Sequence, residues 1–204
     1  MRLKIILITT LLSLPASAFG QNIYFKTGLN LTNYQFMDRE GNKAEGLNSA
    51  SGSSYEIGLS IPLRNEWLKY ELGIALDAYN ASGGDVNNNY TWETNYGGIK
   101  NTISFTQNVG EFDLGFYALG LLSTMINGAQ VINNSRHDLI NHPDFKGILL
   151  QKGAGLSASY KIIRNGLISL QYDFTKSFKI GEKPAEKLTF LNNRILFGIH
   201  IDLN

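Results

Sequence analysis

The sequence predicts an all-β protein: an eight-stranded antiparallel transmembrane up-and-down β-barrel, with short periplasmic turns and four long extracellular loops. Three observations carry that reading. Apolar and polar residues alternate with period two along eight separate segments. The connections alternate strictly between short and long. An export segment stands ahead of the first strand.

The export segment reads from the N-terminus. Arg2 and Lys4 form a positive start, Ile5 to Leu14 is an uncharged and mostly apolar run, and Pro15 ends it. Ala18-Phe19-Gly20 before Gln21 fits the small-x-small cleavage rule, with Ala16-Ser17-Ala18 as the competing site. Residues 1–20 are therefore expected to be a cleaved signal peptide and 21–204 the barrel domain. No Cys stands at the cleavage site, so no acylated lipoprotein is expected. Ten apolar residues rise only about 15 Å as a helix, half a bilayer core. No later stretch is long and apolar enough to span as a helix. Only helices and closed barrels satisfy their backbone in lipid, so an exported chain of this kind is a soluble protein or a barrel.

The strands follow in order. Ile23, Phe25, Thr27, Leu29 and Leu31 face one way, against Tyr24, Lys26, Gly28 and Asn30. Tyr55 to Leu63 and then Leu68 to Leu76 repeat the pattern across the short link Arg64-Asn65-Glu66. The segment Lys100–Val109 is more polar, and Gly110-Glu111 turns it into Phe112–Ala118. Ile148–Lys161 and Ile168–Thr175 flank the turn Arg164-Asn165-Gly166, and Arg194–Leu203 closes the series. Long connections are expected near residues 33–53, 80–95, 124–145 and 178–188, rich in Asn, Gly, Ser and charge, as suits water. Short turns on one side and long loops on the other is the pattern of outer-membrane barrels.

Alternation alone leaves open which face is inside, because a soluble lipocalin-like barrel points its apolar residues inward. Glycine decides. Gly28, Gly58, Gly73, Gly115, Gly153, Gly155 and Gly198 all lie on the polar face, and small residues belong inside a narrow barrel. The apolar face carries bulky Leu, Ile, Phe and Tyr, as a lipid-facing band should. Tyr24, Phe25, Trp67, Tyr79, Tyr160, Phe174 and Phe178 are expected to form aromatic girdles near the strand ends.

Composition narrows the function classes. Charged residues make up 17% of the 204, below the roughly 25% of soluble domains. The 18 Lys+Arg nearly balance the 17 Asp+Glu, which argues against a nucleic-acid partner. With no Cys, thiolate metal sites, disulfides and Cys nucleophiles are excluded.

Short motifs point to a family. Phe25-Lys26-Thr27-Gly28-Leu29-Asn30-Leu31-Thr32-Asn33 resembles the first strand of the PorT-like outer-membrane β-barrel family common in Bacteroidota, which tends to read G-x-K-x-G-x-N-x-S; the first position is Tyr24 here. Tyr70-Glu71-Leu72 is similar to the family's third strand with its inward Glu, and Gly153-Ala154-Gly155 to the G-x-G of its sixth. The resemblance implies an outer-membrane barrel of a Gram-negative cell but no reaction. One member, PorT, is implicated in protein secretion.

By parity Lys26, Glu56, Glu71, Asp77, Asp113, Lys161, Asp173, Arg194, His200 and Asp202 all point inward. An ion-pair network filling the lumen is the expected role, since eight strands leave room for side chains and little else, and buried charges need partners. His200 with Asp202, completed by Ser169 or Ser157, has the composition of a hydrolase set, but its position near the strand end argues against catalysis. His137, Asp138, His142 and Asp144 cluster in the third long loop; their spacing and Pro143 favour a solvated polar loop over a metal site. No Walker loop, nucleophile elbow or zincin motif occurs. The expectation is a monomeric, non-enzymatic structural or surface-interaction protein without a wide pore and with no cofactor. Its partners are outer-membrane lipids, the barrel-assembly machinery during biogenesis and an unknown extracellular ligand of the loops. An enzyme acting on lipid or peptide, or an accessory of a secretion system, is the competing reading.

Overall fold

The computed structural model describes residues 22–37, 40, 42, 47–64, 67–84, 89–181 and 187–203. The expected signal peptide and its cleavage site lie outside them. The described residues form nine strands in chain order: β1 (Asn22–Met37), β2 (Leu47–Arg64), β3 (Leu68–Gly84), β4 (Asn89–Val109), β5 (Phe112–Ile132), β6 (Ser135–Asp138), β7 (Ile148–Ile163), β8 (Gly166–Lys179) and β9 (Lys187–Asp202). Eight of them close a barrel in the order β1-β2-β3-β4-β5-β7-β8-β9. Every pairing is antiparallel, and β9 returns to β1 in an unbroken register from Asn22↔Asp202 to Met37↔Lys187. Closure leaves no barrel edge to solvate, which is what makes a β-structure viable in an apolar medium. The short β6 is a flap on β5, turned back by Asn133 and Asn134, both at positive φ. Two consecutive positive-φ residues make the turn whose twist matches a hairpin.

The predicted facing holds around the wall. Ile57, Ile74, Ile99, Phe116, Leu156, Leu170 and Ile195 point outward and are exposed, while Lys26, Glu56, Asp77, Asp173 and Arg194 are buried inside. Two expected girdle residues are exceptions. Tyr24 and Tyr79 sit in the lumen at 1% and 0% exposure. Their own parity, even next to Phe25 and odd next to Ala78, places them there. The girdle at the turn end is instead Trp67 stacked on Phe105, with Phe105 stacked on Phe116 and Phe112 tilted against Tyr160.

The strands are longer than the alternation predicts. β4 and β5 have 21 residues each, about twice the 9–11 needed to cross a bilayer. Residues expected in long loops are strand: Asn48–Ser53 lies within β2, and Tyr90–Asn95 within β4. The reason is a change in the polarity of the outer face along the wall. Near the loop end the outward positions of β4 become Glu93 and Asn95, while the inward ones become Trp92 and Tyr96. The ladder continues, but the polarity contrast that marks a strand in the sequence reverses.

Candidate functional site

The lumen holds two layers. The first is a chain of charges. Lys26 Nζ on β1 donates to Glu71 Oε2 on β3 at 2.6 Å and lies 3.9 Å from Glu56 on β2. Lys100 Nζ on β4 meets the other oxygen of Glu56 at 2.6 Å and stands 3.8 Å from Asp173 on β8. Arg194 on β9 grips Asp173 with two nitrogens, Nε at 2.7 Å and Nη2 at 3.2 Å. Its Nη1 reaches Asp77 on β3 at 3.0 Å. The signs alternate from end to end: Glu71, Lys26, Glu56, Lys100, Asp173, Arg194, Asp77. A planar guanidinium is the group that can fork to one carboxylate and still reach a second. Neutral donors complete the chain. Tyr117 on β5 donates to Asp173 at 3.3 Å, and Gln151 on β7 donates to Tyr79 Oη. Tyr24 donates to Glu56 at 2.7 Å, and Ser54 to Asp77.

Space for this chain comes from glycine. A Cβ added at Gly73 would collide with Tyr24 Oη, and one at Gly58 would meet the same atom at 2.6 Å. A Cβ at Gly198 would meet Ser169 Oγ at 2.5 Å and Lys26 Cγ at 3.1 Å. The Tyr24 ring therefore occupies room that any other residue at 58 or 73 would fill, and Lys26 rests 4.1 Å over that ring. Gly73→Ala is expected to destabilise the barrel by about 1–3 kcal/mol, the usual cost of overpacking. Tyr24→Phe removes the colliding oxygen, so the double variant should lose less than the sum of the two. A urea-unfolding double-mutant cycle measures this coupling; strict additivity would refute the packing argument.

The second layer is aromatic and lies towards the loop end. Tyr34, Tyr79, Tyr96 and Phe190 pack ring on ring with centroids 4.7–5.7 Å apart. Met125, Leu149 and Leu188 surround them, and Leu139 and Phe145 come in from the connection between β6 and β7. The two layers are joined by Tyr79, whose Oη donates to Asp77 at 3.2 Å. The third long loop is solvated on its polar side only. Its polar residues do face water, but Leu139 and Phe145 are 3% and 7% exposed and anchor it over the barrel mouth. His142 and Asp144 approach to 3.5 Å, whereas His137 and Asp138 stand apart on β6. Among the described residues no group of three or more such ligands could hold a metal.

At the turn end the lumen opens into a cavity of about 330 Å³, lined by Lys69, Asp113, Lys161, Arg164, His200 and Asp202 among others. Three of the ten inward-pointing candidates are thus placed differently from the rest. Asp113 is half-exposed, and Lys161 and Asp202 are exposed at the rim. Parity gives the direction of a side chain but not its height, and these three stand where the strands end. His200 is buried deeper, with its Nε2 3.0 Å from Ser169 Oγ and its ring beside Tyr24. Among the described residues no carboxylate is hydrogen-bonded to the imidazole, and Asp202, two residues on, lies at the exposed rim. The sequence reading missed Lys100, which shares the inward parity of Thr102 and Ser104, and it missed the aromatic layer altogether.

The fold and the packed lumen define the class: a small closed β-barrel of the architecture found in bacterial outer-membrane proteins. Three solved structures carry the comparison. Neisserial surface protein A matches with a TM-score of 0.51 at 12% identity, over 88% of this chain and 96% of that one. OprG from Pseudomonas aeruginosa matches with 0.51 at 9% identity, over 92% and 98%. The outer membrane protease OmpT from Escherichia coli matches with 0.50 at 9% identity, over 94% and 100%. At these identities the likeness is one of fold. No protein-family model and no curated protein matches the sequence.

Proposed function

We propose that this protein is an integral outer-membrane barrel that does not conduct through its lumen and serves as a structural or surface-interaction protein, with specificity in the tall walls and loops of its loop end. The packed lumen carries the reading: an alternating ion chain across the middle and an aromatic layer above it occupy the space a pore would need. The outward apolar band, the export segment and the PorT-like motifs support the location. So do the solved outer-membrane barrels of like fold. On this reading the cavity and short turns face the periplasm, and the barrel-assembly machinery receives the chain as a monomer.

In planar lipid bilayers the purified protein is expected to give no stable open-channel current, and removing Leu139–Gly147 alone should not create one, because the ion chain remains. Steady conductance of the intact protein would overturn the closed-lumen reading. The competing reading, an enzyme on lipid or peptide, rests on the Ser169–His200 contact. Activity on such a substrate that His200→Ala abolishes would establish it.

A further inference from the structure

The outward face of β7 and β8 is apolar except at one level. From Tyr160 upward, β7 presents Ala158, Leu156 and Ala154, and β8 presents Ile168, Leu170, Tyr172 and Phe174. Then Lys152 and Lys176 stand directly opposite each other, and Leu150↔Phe178 resumes the apolar face one step higher. Both lysines are exposed and outward, and among the described residues neither has an ion pair. Like charges placed opposite each other on a sheet repel. A lipid-facing lysine is also disfavoured, with a penalty that falls towards the interface.

Both side chains bend the same way. Their ammonium groups lie 4.9 Å and 5.7 Å from the ring centroid of Phe178, on the loop-end side of their own backbone. That is the direction in which a lysine escapes hydrocarbon. From Tyr160 in the lower girdle to Lys152 is eight residues, about 26 Å along the strand at ~3.3 Å per residue. At a tilt of about 40° this is roughly 20 Å of height, close to the upper limit of a ~25 Å apolar band. Beside the pair the surface is low. Gly120 is opposite Lys152 with nothing around the place a Cβ would take, and Ala118 is opposite Ala154. Bulky Leu122 and Leu156 bound this depression above and below.

We propose that Lys152 and Lys176 bind the phosphate of an outer-leaflet glycolipid, with one acyl chain lying in the Gly120–Ala118–Ala154 depression below them. The proposal rests on the membrane placement given above. Two unpaired cations at the headgroup level, above a shallow apolar trough, complement an anionic headgroup attached to a chain, and basic sites against transmembrane elements recognise lipid headgroups in this way.

The test uses the full mature protein in detergent micelles, titrated with bis-phosphorylated lipid A and followed by native mass spectrometry. The variant K152Q/K176Q is expected to bind about 30-fold more weakly, two lysines' worth of headgroup attraction. Lipid A stripped of its phosphates and phosphatidylglycerol should bind the parent as weakly as lipid A binds that variant. Gly120→Leu, which fills the trough and leaves both lysines, should also weaken binding. Arg64→Gln at the opposite rim should not. Unchanged binding in K152Q/K176Q, or equal binding of the phosphate-free lipid or of phosphatidylglycerol, would overturn the site. Each variant is first checked for the heat-dependent gel mobility of a closed barrel. A parent protein that lacks that mobility refutes the membrane placement, whereas a parent that has it but ignores lipid A refutes this site alone.

Discussion

Arg194→Met is expected to cost the folded barrel about 3–5 kcal/mol, the penalty for removing one partner of a buried ion pair. Arg194 is 1% exposed and holds two carboxylates at once, Asp173 through two nitrogens and Asp77 through a third. Methionine fills much of the volume but leaves both acids without their main cation in a site that water does not reach. Lys100, 3.8 Å from Asp173, offsets only part of this. The measurement is a urea titration of the protein refolded in detergent or lipid vesicles. Replacing all three groups together, as Arg194→Met with Asp77→Leu and Asp173→Leu, should recover much of the loss, because desolvated charges cost more to strand than to omit. A loss below about 1 kcal/mol in the single variant would match an exposed pair and would mean that the lumen is hydrated.

Deleting Ile199–Asn204 should abolish membrane insertion and leave aggregated or degraded chain. The segment pairs on both sides. Phe25, Tyr24, Ile23 and Asn22 on β1 face Ile199 through Asp202, and Ile168, Leu167 and Gly166 on β8 face Ile199 to Ile201. Without it both neighbours present bare backbone where hydrocarbon would surround them. Removing four residues between Met37 and Leu47, where the sequence reads as a polar loop, is the control and should leave insertion intact, since a loop in water changes length at little cost. The register also sets the proximity test. Cysteines at positions 25 and 199 should crosslink in the membrane fraction. Normal insertion of the truncated chain, with no crosslink in the full one, would refute closure through β1 and β9.

The barrel was legible because its wall separates an apolar outer face from a polar lumen. Ile57 next to Glu56, or Ile74 next to Gly73, states the facing of a strand in two letters, and the turns at Gly110 and Asn165 state its end. Legibility stopped where that contrast stopped. Glu93 and Asn95 outside, with Trp92 and Tyr96 inside, read as a polar loop although they continue the β4 ladder. The ion chain was legible as a set of inward charges but not as a sequence of contacts. Nothing local indicates that Arg194 meets Asp77, 117 positions away, and nothing in parity distinguishes Lys26 in the middle of a strand from Lys161 at its end. The aromatic layer needs both height and closure to be seen, because Tyr34, Tyr79, Tyr96 and Phe190 come from four strands.

The ion chain begins and ends on β3, and only two of its links join the first half of the polypeptide to the second: Lys100 with Asp173, and Arg194 with Asp77. Lys26, Glu56, Glu71 and Lys100 neutralise one another within the first four strands, and Asp173 and Arg194 do so within the last hairpin. Each half can therefore approach the other already balanced, apart from Asp77, whose charge waits for its counterpart. If β9 met β1 two residues out of step, Leu196 or Asn192 would arrive at the height of Arg194, and two acids would face a side chain that carries no positive charge. Mis-threaded closure is thus penalised at the moment it happens. The interior works as a checksum on the seam, reporting whether the last strand has been laid in its proper place before the barrel is sealed.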